Sequence, residues 1–132
     1  MTRDTNEQRK LAYICAPYAG DVEKNKKVAI DFGKMAHEKG FLPIIPHLLF
    51  PYLDDVTDRE EAMSMCLEVV ERCDVLLVLS DVITSGMKRE IDLAKKKEMP
   101  IFQFFRWVTL DEVKDKNFSF WKRCFDENNI RV

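Results

Sequence analysis

The strongest constraint on the fold is a short apolar run, Val75-Leu76-Leu77-Val78-Leu79. It is too short for a helix of ordinary length and reads as a buried strand. The stretch that follows, Asp81 to Ala94, reads DVITSGMKREIDLA. Thr84 or Ser85 can cap a helix there, and Gly86 lets the backbone approach a ligand or another element closely. Met87, Ile91 and Ala94 then recur at helical spacing on one side. Glu90 falls three residues after Met87 and four before Ala94, so it lies on or beside the inward stripe. A carboxylate aimed inward is costly unless it is partnered, and the rest of the chain has to supply the partner.

Ahead of this unit, residues 11–16 (LAYICA) form a first apolar strand, broken by Pro17-Tyr18-Ala19-Gly20. Asp21 is placed to cap a helix that runs to about Lys39, ended by Gly40. Val22, Asn25, Ala29, Phe32 and Ala36 share its inner face. Asn25 reads either as a satisfied polar group or as a ligand contact. Residues 41–46 (FLPIIP) form a second strand. Pro43 cannot donate a ladder hydrogen bond, so that strand belongs at an edge. A loop over residues 47–58 leads to a helix over residues 59–72. Ala62, Met65, Cys66, Val69, Val70 and Cys73 fit the helical apolar pattern there. Pro100 opens a fourth strand, IFQFF; beyond Arg106 a short helix over 111–116 and a last element over 118–132 are expected.

Strands alternating with helices make βαβ units and a parallel sheet. The expected fold is therefore α/β, a flavodoxin-like doubly wound parallel sheet of four to five strands in the order 2-1-3-4-5, with helices on both faces. In that arrangement ligands bind at the carboxyl ends of strands one and three, where the winding reverses. The two loops there, residues 16–20 and 80–86, both carry glycine in a chain with only four. Residues 1–9 are expected to be a flexible tail and residues 10–132 a single domain.

A net charge of -2 gives no electrostatic basis for binding polymeric nucleic acid or an anionic membrane. No apolar run approaches the roughly 18–20 residues that span a bilayer. The opening residues lack the apolar segment of a signal peptide. Cys15, Cys66, Cys73 and Cys124 form no CxxC and have no histidine close in sequence, so neither a metal site nor a disulfide framework is expected. They read as reduced core residues of a cytoplasmic protein. No glycine-rich phosphate cradle is present, and no cofactor is expected.

The nearest candidate partner for Glu90 is Tyr13, which points to one face of strand one. It reads either as that partner or as a core aromatic. A buried Glu held by a Tyr suits a nucleophile, or a stabiliser of a cationic transition state. Cleavage at an anomeric carbon has such a transition state. His47, just past strand two, lies on the crevice side; His37 is expected at the surface.

The motifs Tyr13-Ile-Cys-Ala-Pro-Tyr18 and Thr84-Ser85-Gly86-Met-Lys-Arg-Glu90-Ile-Asp-Leu-Ala94 resemble those of the nucleoside 2-deoxyribosyltransferase superfamily. The intervening PIIPHLLFP and ERCDVLLVLS resemble a bacterial and phage branch of undefined function. The resemblance implies a flavodoxin-like domain that assembles as a homodimer or higher oligomer. It implies Glu90 as nucleophile and Tyr13 as its orienting partner, acting on a small-molecule nucleoside or nucleotide. Members either exchange bases between deoxynucleosides or hydrolyse deoxynucleoside 5′-monophosphates. Ala16, Pro17, Tyr18, Asn25, His47, Asp81, Thr84, Ser85 and Gly86 are the expected substrate contacts.

Two departures stand out. Transferases carry an acid where this chain has Thr84, and the hydrolase branch has serine there. The loop after strand one has no arginine for a phosphate. Asp81, Asp54 or Asp55 could supply the acid, or each could simply form a turn. The alternative function is a nucleotide-binding sensor that does not turn its ligand over.

Overall fold

The computed structural model describes residues 8–79 and 83–104 of the chain. Among them, β1 (Leu11–Cys15), β2 (Leu42–Ile44), β3 (Val75–Leu79) and β4 (Ile101–Phe104) form one parallel sheet in the order β2-β1-β3-β4. The helices are α1 (Val22–Glu38), α2 (Arg59–Arg72) and α3 (Ser85–Lys96). This is the flavodoxin-like doubly wound arrangement. The expected fifth strand, Asp81, Cys124 and the readings of residues 105–132 lie outside the described residues.

Strand alternation divides the core. On β1, Ala12 and Ile14 face α1, joined by Val75, Leu77 and Leu79 of β3 and by Val28, Phe32 and Met35 of the helix. Phe32 meets Phe104 of β4 edge-on, with ring centroids 5.1 Å apart. Tyr13 and Cys15 face the other way, into a second cluster with Leu76, Val78, Val70, Met87, Ile91 and Ala94. All five residues of β3 are buried, as a central parallel strand covered by helices on both faces must be. The register sets Tyr13 beside Leu76 and Cys15 beside Val78.

Two elements differ from expectation. The second strand, expected over residues 41–46, is only Leu42–Ile44. Pro43 offers no N–H to the ladder, and Pro46 starts a 3-10 turn (Pro46–Leu48) that carries His47 off the sheet edge. The apolar stripe of α2 is less buried than its complete pattern implies. Val70 and Cys73 are buried, whereas Ala62, Met65, Cys66 and Val69 are half-exposed. The physical reason is that α2 packs mainly against α3, not squarely on the sheet.

The α1 cap follows the reading. The Asp21 carboxylate accepts the Lys24 N–H at 3.2 Å, and Gly40, at φ 96°, turns the chain off the helix. Gly33 has a different purpose. A Cβ placed there would stand 2.5 Å from Ile45 Cδ1 and 2.9 Å from Ile45 Cγ1, so its small size lets α1 approach the end of β2. Overpacking of about 1–3 kcal/mol is offset by about 1 kcal/mol of helix propensity. Gly33→Ala should therefore lower stability by about 1 kcal/mol in urea melts, and Ile45→Val in the same chain should recover part of the loss. A stabilising Gly33→Ala would show that the approach is not tight.

Candidate active site

The centre of the site is the Glu90 side chain, in the second turn of α3. Thr84 begins that helix: its hydroxyl oxygen accepts the Met87 N–H at 3.2 Å. The helix buries Met87, Glu90, Ile91 and Ala94 as one stripe. Glu90 is 7% exposed and is the one charged residue among the buried groups described.

Two side chains of β1 hold its two oxygens. The Tyr13 hydroxyl donates to Oε2, and the Cys15 thiol donates to Oε1 at 3.3 Å. Tyr13 and Cys15 are separated by one residue, so the strand points both at α3. Burial, followed by the Glu90 charge, raises both groups well above their ordinary values. Both therefore keep their hydrogens and serve as donors. Cys66 of α2 packs against the same cluster, and burial raises its thiol too. Burial pushes the Glu90 carboxyl up to about 7, against the opposing pull of the Tyr13 and Cys15 hydrogen bonds. A buried carboxyl near 7 is divided between its two protonation states at neutral pH.

A second group forms on the loop that leaves β1. The His47 ring meets the Pro17 carbonyl through Nε2 at 2.8 Å; a carbonyl only accepts, so Nε2 carries the hydrogen. Nδ1 is buried without a hydrogen-bond partner, and burial lowers the His47 pKa. The Tyr18 ring lies 5.3 Å from the His47 ring, and its hydroxyl donates to Asp55 at 2.6 Å. That bond, above all, pushes the Tyr18 phenol up to about 12. The Asn25 amide donates to the carbonyls of Tyr18 and Ala19 at 3.2 and 2.9 Å. It thus ties down the loop in which Gly20 takes φ 98°. Asp54 accepts the N–H groups of Val56 and Thr57 at 2.8 and 2.9 Å, which is turn formation.

Of the expected contacts, Ala16 and Pro17 continue β1 as buried residues beyond Cys15. Pro17, Tyr18, Asn25 and His47 come together as a loop clamp. Thr84, Ser85 and Gly86 form the start of α3. At Gly86 a Cβ would have ordinary room, 3.5 Å from Met63 Sδ, so packing does not demand a glycine there. By sequence Cys15 and Cys66 are plain core residues; the fold sets Cys15 against the acid and packs Cys66 beside the same cluster. For Cys15 the signal was present: on a strand, the residue two past Tyr13 shares its face. For Cys66 nothing local pointed to the acid. Among the described residues, no cluster of three or more His, Cys, Asp and Glu could hold a metal ion.

Residues 10–104 match the family described as Domain of unknown function (DUF7768). The chain belongs to that family. Its matched span takes in Tyr13, Cys15 and Glu90, so the whole hydrogen-bonded cluster belongs to the DUF7768 domain. No curated protein matches this DUF7768 chain in sequence. Among solved structures it is similar to a 2-deoxyribosyltransferase from the psychrotolerant bacterium Bacillus psychrosaccharolyticus, with a TM-score of 0.60 and 12% identity. The match covers 84% of this chain and 95% of that one. At this identity the likeness is one of fold. No helix among the described residues of the DUF7768 chain is long and apolar enough to cross a membrane.

Proposed function

We propose that this DUF7768 chain breaks or transfers the N-glycosidic bond of a small-molecule nucleoside or nucleotide, with Glu90 as nucleophile. The observation that carries the reading is a buried carboxylate whose two oxygens are held by Tyr13 and Cys15 where the sheet winding reverses. The similarity in fold to a 2-deoxyribosyltransferase supports the substrate class. In the first step a Glu90 oxygen forms a bond to the anomeric carbon. The carbon–nitrogen bond breaks, its electron pair stays on the base, and the base takes up a proton from a general acid or water. Water or a second base then opens the glycosyl ester and restores the carboxylate. The Thr84 hydroxyl, which accepts from Met87, keeps its own hydrogen for the substrate. Asp81 and Asp55 are the remaining candidates for the acid. The chain acts as a homodimer or higher homo-oligomer and needs no cofactor.

The test is incubation with deoxynucleosides and their 5′-monophosphates. Intact-mass spectrometry reads the sugar adduct and chromatography reads the free base. The expected result is base release that falls on the order of a thousandfold or more in Glu90→Ala. Base release equal in the two proteins, or none from either, overturns the nucleophile.

One observation favours a second reading, a sensor that binds a nucleotide without turnover. Tyr18 and Asp55 close on each other beside a loop that has no arginine for a phosphate. Stabilisation of the fold by a nucleotide in thermal shift, with no base released over hours, would favour the sensor.

A further inference from the structure

We infer that Cys15 is a positioning residue for Glu90: its thiol holds Oε1 until that oxygen attacks, then re-aims at the Met87 carbonyl. The inference rests on the reading of Glu90 as nucleophile.

The two donors to Glu90 are unequal. A phenol hydroxyl is a strong donor and a thiol a weak one. Tyr13 therefore fixes Oε2 firmly, while Oε1 is the oxygen that gives up its hydrogen bond at least cost. The 3.3 Å separation of Cys15 Sγ and Oε1 is a hydrogen bond for sulfur. The same thiol has a second acceptor, the Met87 carbonyl at 3.9 Å, one turn earlier on α3. When Oε1 becomes bonded to carbon, the buried S–H therefore keeps a partner and is not orphaned. β1 is paired on both edges, by β2 and β3, so the spacing of the two donors is set by a strand that cannot shift. The groups facing Glu90 are Tyr13 and Cys15 from β1 and, past Tyr13, Cys66 from α2. Leu76 and Val78 of β3 are apolar. Burial keeps all three titratable neighbours protonated, so the donors persist across the pH range in which Glu90 ionises.

The experiment follows the Glu90 carboxyl by carbon-13 NMR titration, assigned against Glu90→Gln, in the wild type, Cys15→Ala and Cys15→Ser. Cys73→Ala, which removes another buried thiol from the same cluster, controls for the cavity. Loss of the donor in Cys15→Ala should raise the Glu90 midpoint by about half to one pH unit, with Cys15→Ser back near the wild type and Cys73→Ala unchanged. In base release, Cys15→Ala should lose about threefold to eightfold in kcat at pH 6.5, with KM little changed and recovery by pH 8.5. A Glu90 titration identical in Cys15→Ala and wild type overturns the inference. So does equal displacement in Cys73→Ala. Should the wild type release no base at all, the nucleophile reading fails, while the titration still decides whether Cys15 holds the carboxylate.

Discussion

Glu90→Gln should unfold at higher temperature than the wild type at pH 8, and the gap should close as pH falls toward 4.5. The reason lies in the Glu90 carboxyl, which burial pushes from 4.5 up to about 7. Between those values the folded chain binds more protons than the unfolded one, so stability falls as pH rises. The contribution is fully present below pH 4.5 and is lost as pH climbs through about 7, amounting to about 3 kcal/mol. The glutamine amide would keep an acceptor for the Tyr13 hydroxyl and carry no charge, so the variant escapes this loss. For a domain of this size about 3 kcal/mol corresponds to a Tm difference on the order of 10 °C. The same substitution removes the proposed nucleophile, so on that proposal the more stable protein should be the inactive one. Thermal melts from pH 5 to 8 on both proteins check it. Parallel Tm curves would mean that Glu90 ionises without strain.

Tyr13→Phe should act in the opposite direction and grow worse with pH. The hydroxyl donates to Glu90 Oε2 inside the core, and phenylalanine leaves that oxygen unpartnered. A hydrogen bond to a charged group contributes about 1.5–3 kcal/mol, against about 1 kcal/mol for a neutral pair. Destabilisation should therefore be about 1 kcal/mol at pH 5 and about 2–3 kcal/mol at pH 8. Glu90 should titrate about one unit higher, which cuts its ionised fraction at pH 7 about fivefold. The pH profile of base release should move up with it. Urea melts at the two pH values, with that profile, test the claim; a pH-independent loss would reduce Tyr13 to a packing residue.

Glu90 and Tyr13 show how far local spacing carries toward a tertiary contact. Apolar spacing on α3 put Glu90 on the inward stripe, and the need to partner a buried acid led to Tyr13 across the sheet. The strand order followed from Pro43, because a residue without an N–H belongs at an edge, and β2 pairs with β1 alone among the described strands. The limits of α2 were readable from its apolar period alone, and the start of α3 from its Thr84 cap. The length of β2 was not, since two prolines compete with an apolar run for the same residues.

Local chemistry was therefore enough to settle the alternation of strands and helices, the edge position of β2 and the inward aim of Glu90. Each depends on a periodicity, a cap or a missing donor carried within a few residues. Assembly of the chain in space set everything that depends on groups far apart along it. Cys15 meets Glu90 across 75 residues, and Tyr18 meets Asp55 across 37. The height of the Glu90 pKa belongs to the same class. It reflects how completely β1, α2 and α3 exclude water from one carboxylate, and no single segment encodes that exclusion.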